Sequence, residues 1–288
     1  MKVAILGLGI IGEAWAKNLE DDKVPLLLWN RTPKERANFV ADPVEAVRRA
    51  THIFLVVSDA NAVAATLDRI VPVLRPGQVV IQSSTITPAA VKAAAEAVAL
   101  SGAHFLDAPF TGSKPAAEQR QTVFYVGGDA AALEVARPVM ERLSRLILPV
   151  GGVGAASALK LAMNLNLAQM AQALTESLCL ARSAGITDEI FFAALKANVG
   201  WSGLAELKEP KIRADDYTPQ FSVKNMHKDL RQAKEFAGRR AFPQLETLYA
   251  LYEAAMSRNF GEDDFISLIR LLARPRTPDN PPVVLPAA

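Results

Sequence analysis

The stretch that decides the fold is Val3-Ala4-Ile5-Leu6-Gly7-Leu8-Gly9-Ile10-Ile11-Gly12, at the start of the chain. Its first four residues predict a buried strand, and three glycines follow in G-x-G-x-x-G spacing before a helix expected to begin near Ile11. In such a unit the first glycine permits a tight turn, the second lets the backbone approach a pyrophosphate, and the third allows close helix–strand packing. The N–H groups at the helix start attract phosphate charge. We therefore expect a dinucleotide to contact the whole loop: Gly7, Leu8, Gly9, Ile10, Ile11 and Gly12.

Short apolar runs continue through the first half of the chain and alternate with Ala-rich stretches of helical spacing. Such alternation predicts βαβ units, and right-handed crossovers put helices on both faces of a mostly parallel sheet. We therefore predict an α/β fold: an N-terminal Rossmann-type, doubly wound parallel sheet followed by an all-helical C-terminal domain. The candidate strands are Val3–Leu6, Leu26–Trp29, Ile53–Val57, Val79–Gln82, His104–Asp107 and Val123–Val126.

The character of the sequence changes after Gly151-Gly152. A long helical pattern rich in Ala, Leu and Met extends from Val153 to Ala184, and Gly185 is suited to ending it. Further helical patterns follow without a convincing strand. We predict a dinucleotide-binding domain at residues 1–152, an all-helical substrate and oligomerisation domain at 153–274, and a Pro-rich tail at 275–288.

The composition excludes several classes of protein. Of 288 residues, 50% are hydrophobic and 22% are charged, and the formal net charge is +2 with dispersed basic residues, so we expect no nucleic-acid partner. No stretch reaches ~18 uninterrupted apolar residues, so we expect no membrane span. The single cysteine suits a reducing compartment, so we expect a cytoplasmic protein. The three isolated histidines lack metal-binding spacing, so we expect no metal.

The end of the second candidate strand indicates the cofactor preference. Leu28 and Trp29 are followed there by Asn30, Arg31 and Thr32. An NAD-selective site usually has Asp or Glu at this point to bind the ribose 2′-hydroxyl, whereas a guanidinium can pair with a 2′-phosphate. We predict that Asn30, Arg31 and Thr32 bind the cofactor and that NADP(H) is preferred, with NAD(H) left open as an alternative.

Three later segments, together with the glycine loop, carry a resemblance to a known family. They are Asp107-Ala108-Pro109-Phe110-Thr111-Gly112-Ser113-Lys114, Lys160-Leu161-Ala162-Met163-Asn164 and Phe221-Ser222-Val223-Lys224-Asn225-Met226-His227-Lys228-Asp229-Leu230. In their order and spacing the chain resembles the β-hydroxyacid dehydrogenases, and among them the glyoxylate and succinic semialdehyde reductases and the 3-hydroxyisobutyrate dehydrogenase-like proteins. It departs from the family pattern at Arg120, where glycine is usual, and at Thr122, where leucine is usual.

The resemblance implies roles for individual residues. Lys160 would be catalytic and Asn164 would help to fix the substrate; the two stand four positions apart and so share a helix face. Burying a lysine among Ala, Leu and Met side chains costs free energy, so a lysine in such surroundings is expected where a functional site needs it. By the resemblance, the further cofactor contacts are Val57, Ser58, Thr85 and Lys228, and the substrate contacts are Thr111, Gly112, Ser113, Lys160, Asn164, Phe221 and Asp229.

The reaction implied is reduction of a small carboxylate-bearing aldehyde to the hydroxy acid by an NADP-dependent β-hydroxyacid dehydrogenase or semialdehyde reductase, reversible as a 3-hydroxyacid dehydrogenase. The Lys160 ammonium would stabilise the developing alkoxide and donate its proton. Glyoxylate, succinic semialdehyde and related acids all fit this chemistry. The resemblance and the apolar helical half together predict a homodimer or homotetramer.

Two alternatives stay open. Imine reductases resemble the same layout but generally lack the catalytic lysine, which Lys160 supplies here. A cofactor-binding scaffold without catalysis is the other, and the presence of Lys160, Asn164 and Lys228 argues against it. A 6-phosphogluconate dehydrogenase would have histidine before the asparagine of the lysine segment, where this chain has Met163.

Overall fold

A computed structural model of the chain describes residues 1–272. Contacts divide it into two compact units, one from Met1 to Leu161 and one from Ala162 onwards. The Pro-rich tail predicted at 275–288 lies outside the described residues. The strands of the first unit are β1 (Val3–Leu6), β2 (Leu26–Trp29), β3 (His52–Leu55), β4 (Val79–Gln82), β5 (His104–Asp107), β6 (Phe110–Thr111), β7 (Thr122–Gly128) and β8 (Ser144–Gly151).

These strands form one eight-stranded sheet in the order β2-β1-β3-β4-β5-β7-β6, with β8 paired to β7. The first five strands are parallel to one another, whereas β7 is antiparallel to both β5 and β6. The predicted Rossmann-type sheet, mostly parallel, is confirmed. The strand order reverses between β1 and β3, and in such sheets ligands bind beyond the carboxyl ends of the strands at that point.

Six helices belong wholly to the first unit and a seventh begins in it. Several begin at an aspartate or threonine whose side chain accepts a backbone N–H from the first turn, which satisfies one of the otherwise unpaired donors there. A short 3₁₀ helix, Val71–Val73, follows the third helix. The helices are α1 (Ile10–Asp21), α2 (Pro43–Arg49), α3 (Ala60–Ile70), α4 (Pro88–Ala99), α5 (Lys114–Glu118), α6 (Ala130–Met140) and α7 (Ala155–Ser183).

Both faces of the parallel strands are buried. Along β1, Val3 and Ile5 belong to one hydrophobic cluster, and Ala4 and Leu6 to another. The first cluster includes residues of α1 and α6, and the second includes residues of α2, α3 and α4. Burial on both faces explains why these strands appear as continuous apolar runs in the sequence.

The sequence-based boundaries are wrong at two strands, and two strands were not predicted. The strand predicted at Ile53–Val57 is His52–Leu55, and the one predicted at Val123–Val126 extends over Thr122–Gly128. The missed β6 is only two residues long. The missed β8 contains an apolar run at residues 146–150, but that run includes Pro149 and the strand is largely exposed.

The second unit is helical within the described residues, as predicted. Its helices after α7 are α8 (Asp188–Lys196), α9 (Gly203–Arg213), α10 (Val223–Ala237), α11 (Pro243–Ser257) and α12 (Ile269–Leu272), with a 3₁₀ helix at Phe265–Leu268. No helix within residues 1–272 is both long enough and apolar enough to cross a membrane. The domain boundary predicted at residue 152 stays a prediction.

A buried ion pair lies at the centre of this second unit. The Lys208 Nζ lies 2.8 Å and 3.0 Å from the two carboxylate oxygens of Asp264, and these side chains are 1% and 0% exposed. Asp264 also accepts the backbone N–H groups of Gln220 and Ile266. Burial lowers the pKa of the Lys208 ammonium, and the pairing with Asp264 opposes that shift. The pair therefore holds α9 to the chain before α10 and after α11.

We expect Asp264→Asn to lower the free energy of unfolding by about 3–5 kcal/mol, because it leaves the buried Lys208 ammonium without its countercharge. Urea denaturation followed by circular dichroism measures the change. The matched control is Asp263→Asn, which breaks a pair with Arg270 whose side chains are 38% and 33% exposed and should cost at most ~1 kcal/mol. Equal losses in the two variants would contradict the structural role given to Asp264.

Candidate functional site

The glycine loop joins β1 to α1 with the geometry that a dinucleotide requires. Gly7 has φ of +114°, and a Cβ placed on it would lie 2.1 Å from the Val56 carbonyl oxygen. A Cβ on Gly12 would lie 2.0 Å from the Gly7 carbonyl oxygen, whereas one on Gly9 would meet nothing within 4 Å. Gly7 and Gly12 are thus required by close packing, and Gly9 presents open backbone. Helix α1 begins at Ile10 with no side-chain cap, so this loop fits a pyrophosphate group.

Asn30 stabilises this loop from the end of β2. Its Oδ1 accepts the Leu8 backbone N–H at 3.0 Å, and its Nδ2 donates to the Thr32 carbonyl oxygen at 2.8 Å. The amide thus links the glycine loop to the turn that follows β2. Arg31 and Thr32 are exposed at this strand end. Their predicted contact with a ribose or 2′-phosphate stays a prediction, whereas the two hydrogen bonds of Asn30 are made to the protein.

The ends of β3 and β4 lie side by side beyond the sheet. The Val57 backbone N–H donates to the Ser84 Oγ at 2.8 Å, which explains why β3 stops before Val57. Ser58 is exposed and its hydroxyl donates to the Asp59 carboxylate, and Thr85 is half-buried. The sequence did not indicate that Ser84 bonds to Val57, because the two residues follow different strands and stand 27 positions apart. The predicted contacts at these two strand ends therefore meet at one edge.

The predicted carboxylate loop runs from β6 into α5. Gly112 has φ of +123°, a conformation that favours glycine, and Ser113 precedes the first residue of α5. Thr111, Gly112 and Ser113 are all half-buried. Burial raises the pKa of Tyr125, and a hydrogen bond with Thr111 opposes that shift, so the two side chains lie together. The loop is thus anchored at its start and turns sharply at its centre.

Asp107, at the end of β5, is a second residue whose role the sequence did not indicate. It is fully buried, and its carboxylate accepts the backbone N–H groups of Gly154 and Ser157, both at 3.0 Å, and the Ser157 hydroxyl at 2.7 Å. Burial raises the pKa of Asp107, and these hydrogen bonds oppose the shift. The carboxylate therefore caps the start of α7, where the helix dipole also favours negative charge.

Helix α7 carries both predicted catalytic residues. Lys160 is 9% exposed and Asn164 is 2% exposed, and their four-residue spacing puts them on one face of the helix. Helix α7 is continuous through both positions. The lysine is therefore not a solvated surface cation, which is the usual alternative for a lysine on an amphipathic helix.

Within the second unit, Asn164 is joined to the predicted Lys228-Asp229 pair. The Asn164 Nδ2 lies 2.5 Å from one Asp229 oxygen, and the Lys228 Nζ lies 3.1 Å from the other. Because an ionised carboxylate only accepts hydrogen bonds, the amide nitrogen of Asn164 faces Asp229 and its carbonyl oxygen points away. Asp229 is 2% exposed, so this is not a surface ion pair. Phe221, just before α10, packs edge-on against Phe265 at a ring-centroid distance of 6.0 Å.

The histidines take no part in a metal cluster within residues 1–272. His52 and His104 lie on strands of the first unit. His227 stacks on Tyr249 with ring centroids 4.9 Å apart, and burial lowers its pKa.

Comparison with known proteins agrees with this description. A family profile described as the NAD binding domain of 6-phosphogluconate dehydrogenase matches residues 2–152. A second, described as NAD-binding of NADP-dependent 3-hydroxyisobutyrate dehydrogenase, matches residues 154–272. Together the two profiles span nearly all of the described chain.

Individual relatives match over nearly the full length. Glyoxylate/succinic semialdehyde reductase 1 of Arabidopsis thaliana is 27% identical over 281 residues, covering 93% of this chain and 97% of the plant protein. The solved 3-hydroxyisobutyrate dehydrogenase of Mycobacterium tuberculosis with L-serine has a TM-score of 0.87 at 25% identity, covering 95% of this chain and 99% of that one.

An imine reductase from Myxococcus stipitatus in complex with NADP+ has a TM-score of 0.63 at 22% identity, covering 94% of this chain and 99% of that one, which is a likeness of fold alone. The resemblance inferred from the motifs is confirmed. This chain belongs to the β-hydroxyacid dehydrogenase family of NAD(P)-binding oxidoreductases, with the 3-hydroxyisobutyrate dehydrogenase-like proteins.

Proposed function

We propose that this chain reduces a small aldehyde carboxylic acid, such as glyoxylate or succinic semialdehyde, to the hydroxy acid with NADPH, and that Lys160 is its general acid. The observation that carries the proposal is the burial of Lys160 on the same helix face as Asn164. Burying an ammonium is costly, so a buried lysine beside a polar partner is a candidate for chemistry. The names of the plant relatives support this class of substrate.

The first task of the protein is to hold the cofactor. We propose that the glycine loop binds the pyrophosphate through the N–H groups at the start of α1, and that Val57, Ser58 and Thr85 contact the cofactor at the ends of β3 and β4. When bound, the reduced nicotinamide supplies the hydride that reduces the carbonyl carbon. Lys228 completes this set on the strength of the family resemblance.

The second task is to stabilise the negative charge that develops on the substrate oxygen. As the carbonyl carbon is reduced, its oxygen gains negative charge, which the Lys160 ammonium stabilises and then neutralises by giving up a proton. In the oxidative direction the neutral amine takes the proton from the hydroxyl group. Asn164 positions the substrate, and its amide is held in one orientation by Asp229. Orientation of this kind lowers the entropic part of the barrier.

The third task is to recognise the substrate carboxylate. We propose that Thr111, Gly112 and Ser113 bind it, with Phe221 as a further pocket residue. The positive φ of Gly112 turns the backbone sharply between two hydroxyl side chains, which suits backbone and hydroxyl donors converging on an anion. A fixed carboxylate would select acids over simple aldehydes, since an aldehyde lacking it loses the orienting contact.

The preference for NADPH rests on Arg31. It is exposed at the end of β2, and the carboxylate common in NAD-selective sites is absent from the Asn30-Arg31-Thr32 stretch. We further propose that the protein is cytoplasmic, because a single cysteine suits a reducing compartment. We also propose that it is a homodimer or homotetramer, on the basis of the family resemblance.

Replacing the catalytic ammonium tests the proposed chemistry. We expect Lys160→Met to lower kcat by about 10²–10⁴-fold, because general acid catalysis is lost. Cofactor affinity, measured by NADPH fluorescence, should change little. Lys196→Met is the control, since its ammonium pairs with Glu209 and is 52% exposed. If Lys160→Met kept the wild-type kcat on every aldehyde acid, the assignment of Lys160 would be wrong.

The cofactor preference is tested by Arg31→Ala. We expect the KM for NADPH to rise about 10–100-fold, the value of a charge-assisted hydrogen bond to a phosphate, while the KM for NADH stays the same. Steady-state kinetics with both cofactors measures the ratio. Arg49→Ala, which removes an exposed guanidinium paired with Glu45, should change neither constant. An unchanged NADPH KM in Arg31→Ala would refute the preference.

A further inference from the structure

One stripe of α1 binds the segment that carries the carboxylate loop. Trp15, Asn18 and Asp22 recur at positions i, i+3 and i+7, so they lie on a single face of the helix and its C-terminal end. All three bond to residues between Phe110 and Thr122, the segment composed of β6, the loop, α5 and the start of β7. The N-terminus of the same helix is the proposed pyrophosphate site.

The first contact of the stripe is Trp15, which is fully buried. Its Nε1 donates to the Thr122 Oγ1 at 3.3 Å, and its ring packs edge-on against Phe110 with centroids 4.9 Å apart. Phe110 immediately precedes Thr111. The Thr122 hydroxyl, at the start of β7, is thus the acceptor that joins this strand to α1.

The second and third contacts form a reciprocal pair at the other end of the segment. The Asn18 Nδ2 donates to the Ala117 carbonyl oxygen at 2.8 Å, and the Arg120 Nη2 donates back to the Asn18 carbonyl oxygen at 3.1 Å. The Arg120 Nη1 donates to the Asp22 Oδ2 at 2.8 Å. This bond is the largest cause of the lowered pKa of Asp22. A guanidinium also suits the negative end of the α1 dipole.

Arg120 makes these contacts from a backbone conformation that favours glycine. Its φ is +60°, and it stands where glycine is usual in the family. A large side chain in this conformation is disfavoured unless its contacts compensate. The guanidinium therefore adds something that a glycine at this turn cannot supply.

We propose that Arg120 is a positioning residue that holds the Thr111–Ser113 loop on α1, so that binding of the dinucleotide at the start of α1 and binding of the substrate carboxylate at the loop are coupled. This rests on the proposed function for the role of the loop. Trp15 and Asn18 are the fixed part of the same connection. By linkage, a cofactor that orders the loop raises the affinity for the acid, and the acid raises that for the cofactor.

The test uses Arg120→Gly, because glycine adopts the same backbone conformation and only the guanidinium is lost. The control is Arg142→Gln, which removes another guanidinium from Asp22, 3.2 Å away, and keeps the Arg142 backbone carbonyl oxygen that accepts from Arg120 at 3.4 Å. We expect Arg120→Gly to raise the KM for glyoxylate or succinic semialdehyde about tenfold at saturating NADPH, and to leave the Kd of NADPH unchanged when it is measured without the acid. Arg142→Gln should match the wild type, and equal behaviour of the two variants would overturn the proposal.

A second measurement does not depend on turnover. Hydrogen exchange is followed with and without saturating NADP+ or NAD+, in peptides covering residues 7–12 and 110–122. In the wild type the cofactor should slow exchange in both peptides, and in Arg120→Gly only in the first. The coupling would be overturned if the cofactor protected residues 110–122 in Arg120→Gly, or if it failed to protect them in the wild type. If the wild type turned over none of the aldehyde acids, the proposed function would be refuted instead. Hydrogen exchange would still decide whether the coupling exists.

If Arg120→Gly fails to fold, Asp22→Asn replaces it. This variant keeps Arg120 and the shape of its partner but removes the countercharge. Like Arg120→Gly, it should reduce the protection that the cofactor gives to residues 110–122, while residues 7–12 stay protected. Full protection of both peptides would again overturn the proposal.

Discussion

The buried carboxylate of Asp107 is the constraint on which the rest of the site depends. It ends the last strand of the parallel set and accepts three hydrogen bonds from Gly154 and Ser157 at the start of α7. A charge without solvent is costly, so those three donors must stay in place. Lys160 lies less than one turn beyond Ser157. The position of the proposed general acid is thereby fixed to the sheet that carries the dinucleotide loop.

Two buried carboxylates in the helical unit show how the same chemistry serves different ends. Asp264 binds Lys208 through both of its oxygens and accepts backbone N–H groups, so all of its bonding capacity goes to holding the chain together. Asp229 divides its two oxygens between Asn164 and Lys228, two residues of the proposed site. The first pair is explained by the fold alone. The second fixes the orientation of the Asn164 amide, which the proposed reaction uses to position the substrate.

The sequence predicted what local pattern and burial determine. The parallel strands were predicted because both of their faces are buried, and the glycine loop because G-x-G-x-x-G spacing directly after a strand is typical of a dinucleotide-binding turn. The strand β8 was missed although it contains an apolar run at residues 146–150, because that run includes a proline and the strand is largely exposed rather than buried on both faces. Nor could the sequence assign Asn30 to the Leu8 N–H, Ser84 to the Val57 N–H, or Asp107 to the start of α7. Each of these bonds joins residues that are distant in the chain, and nothing local indicates the partner.

Reduction of an aldehyde acid by NADPH, with Lys160 as general acid, is the reaction that these residues are proposed to serve. It is tested by oxidation of NADPH and of NADH by the purified protein, followed at the nicotinamide absorbance, with a panel of short aldehyde acids and one cyclic imine. We predict turnover of glyoxylate or succinic semialdehyde, faster with NADPH than with NADH, and none of the imine. Turnover of the imine without turnover of any acid would contradict the proposed reaction and assign the chain to imine reduction.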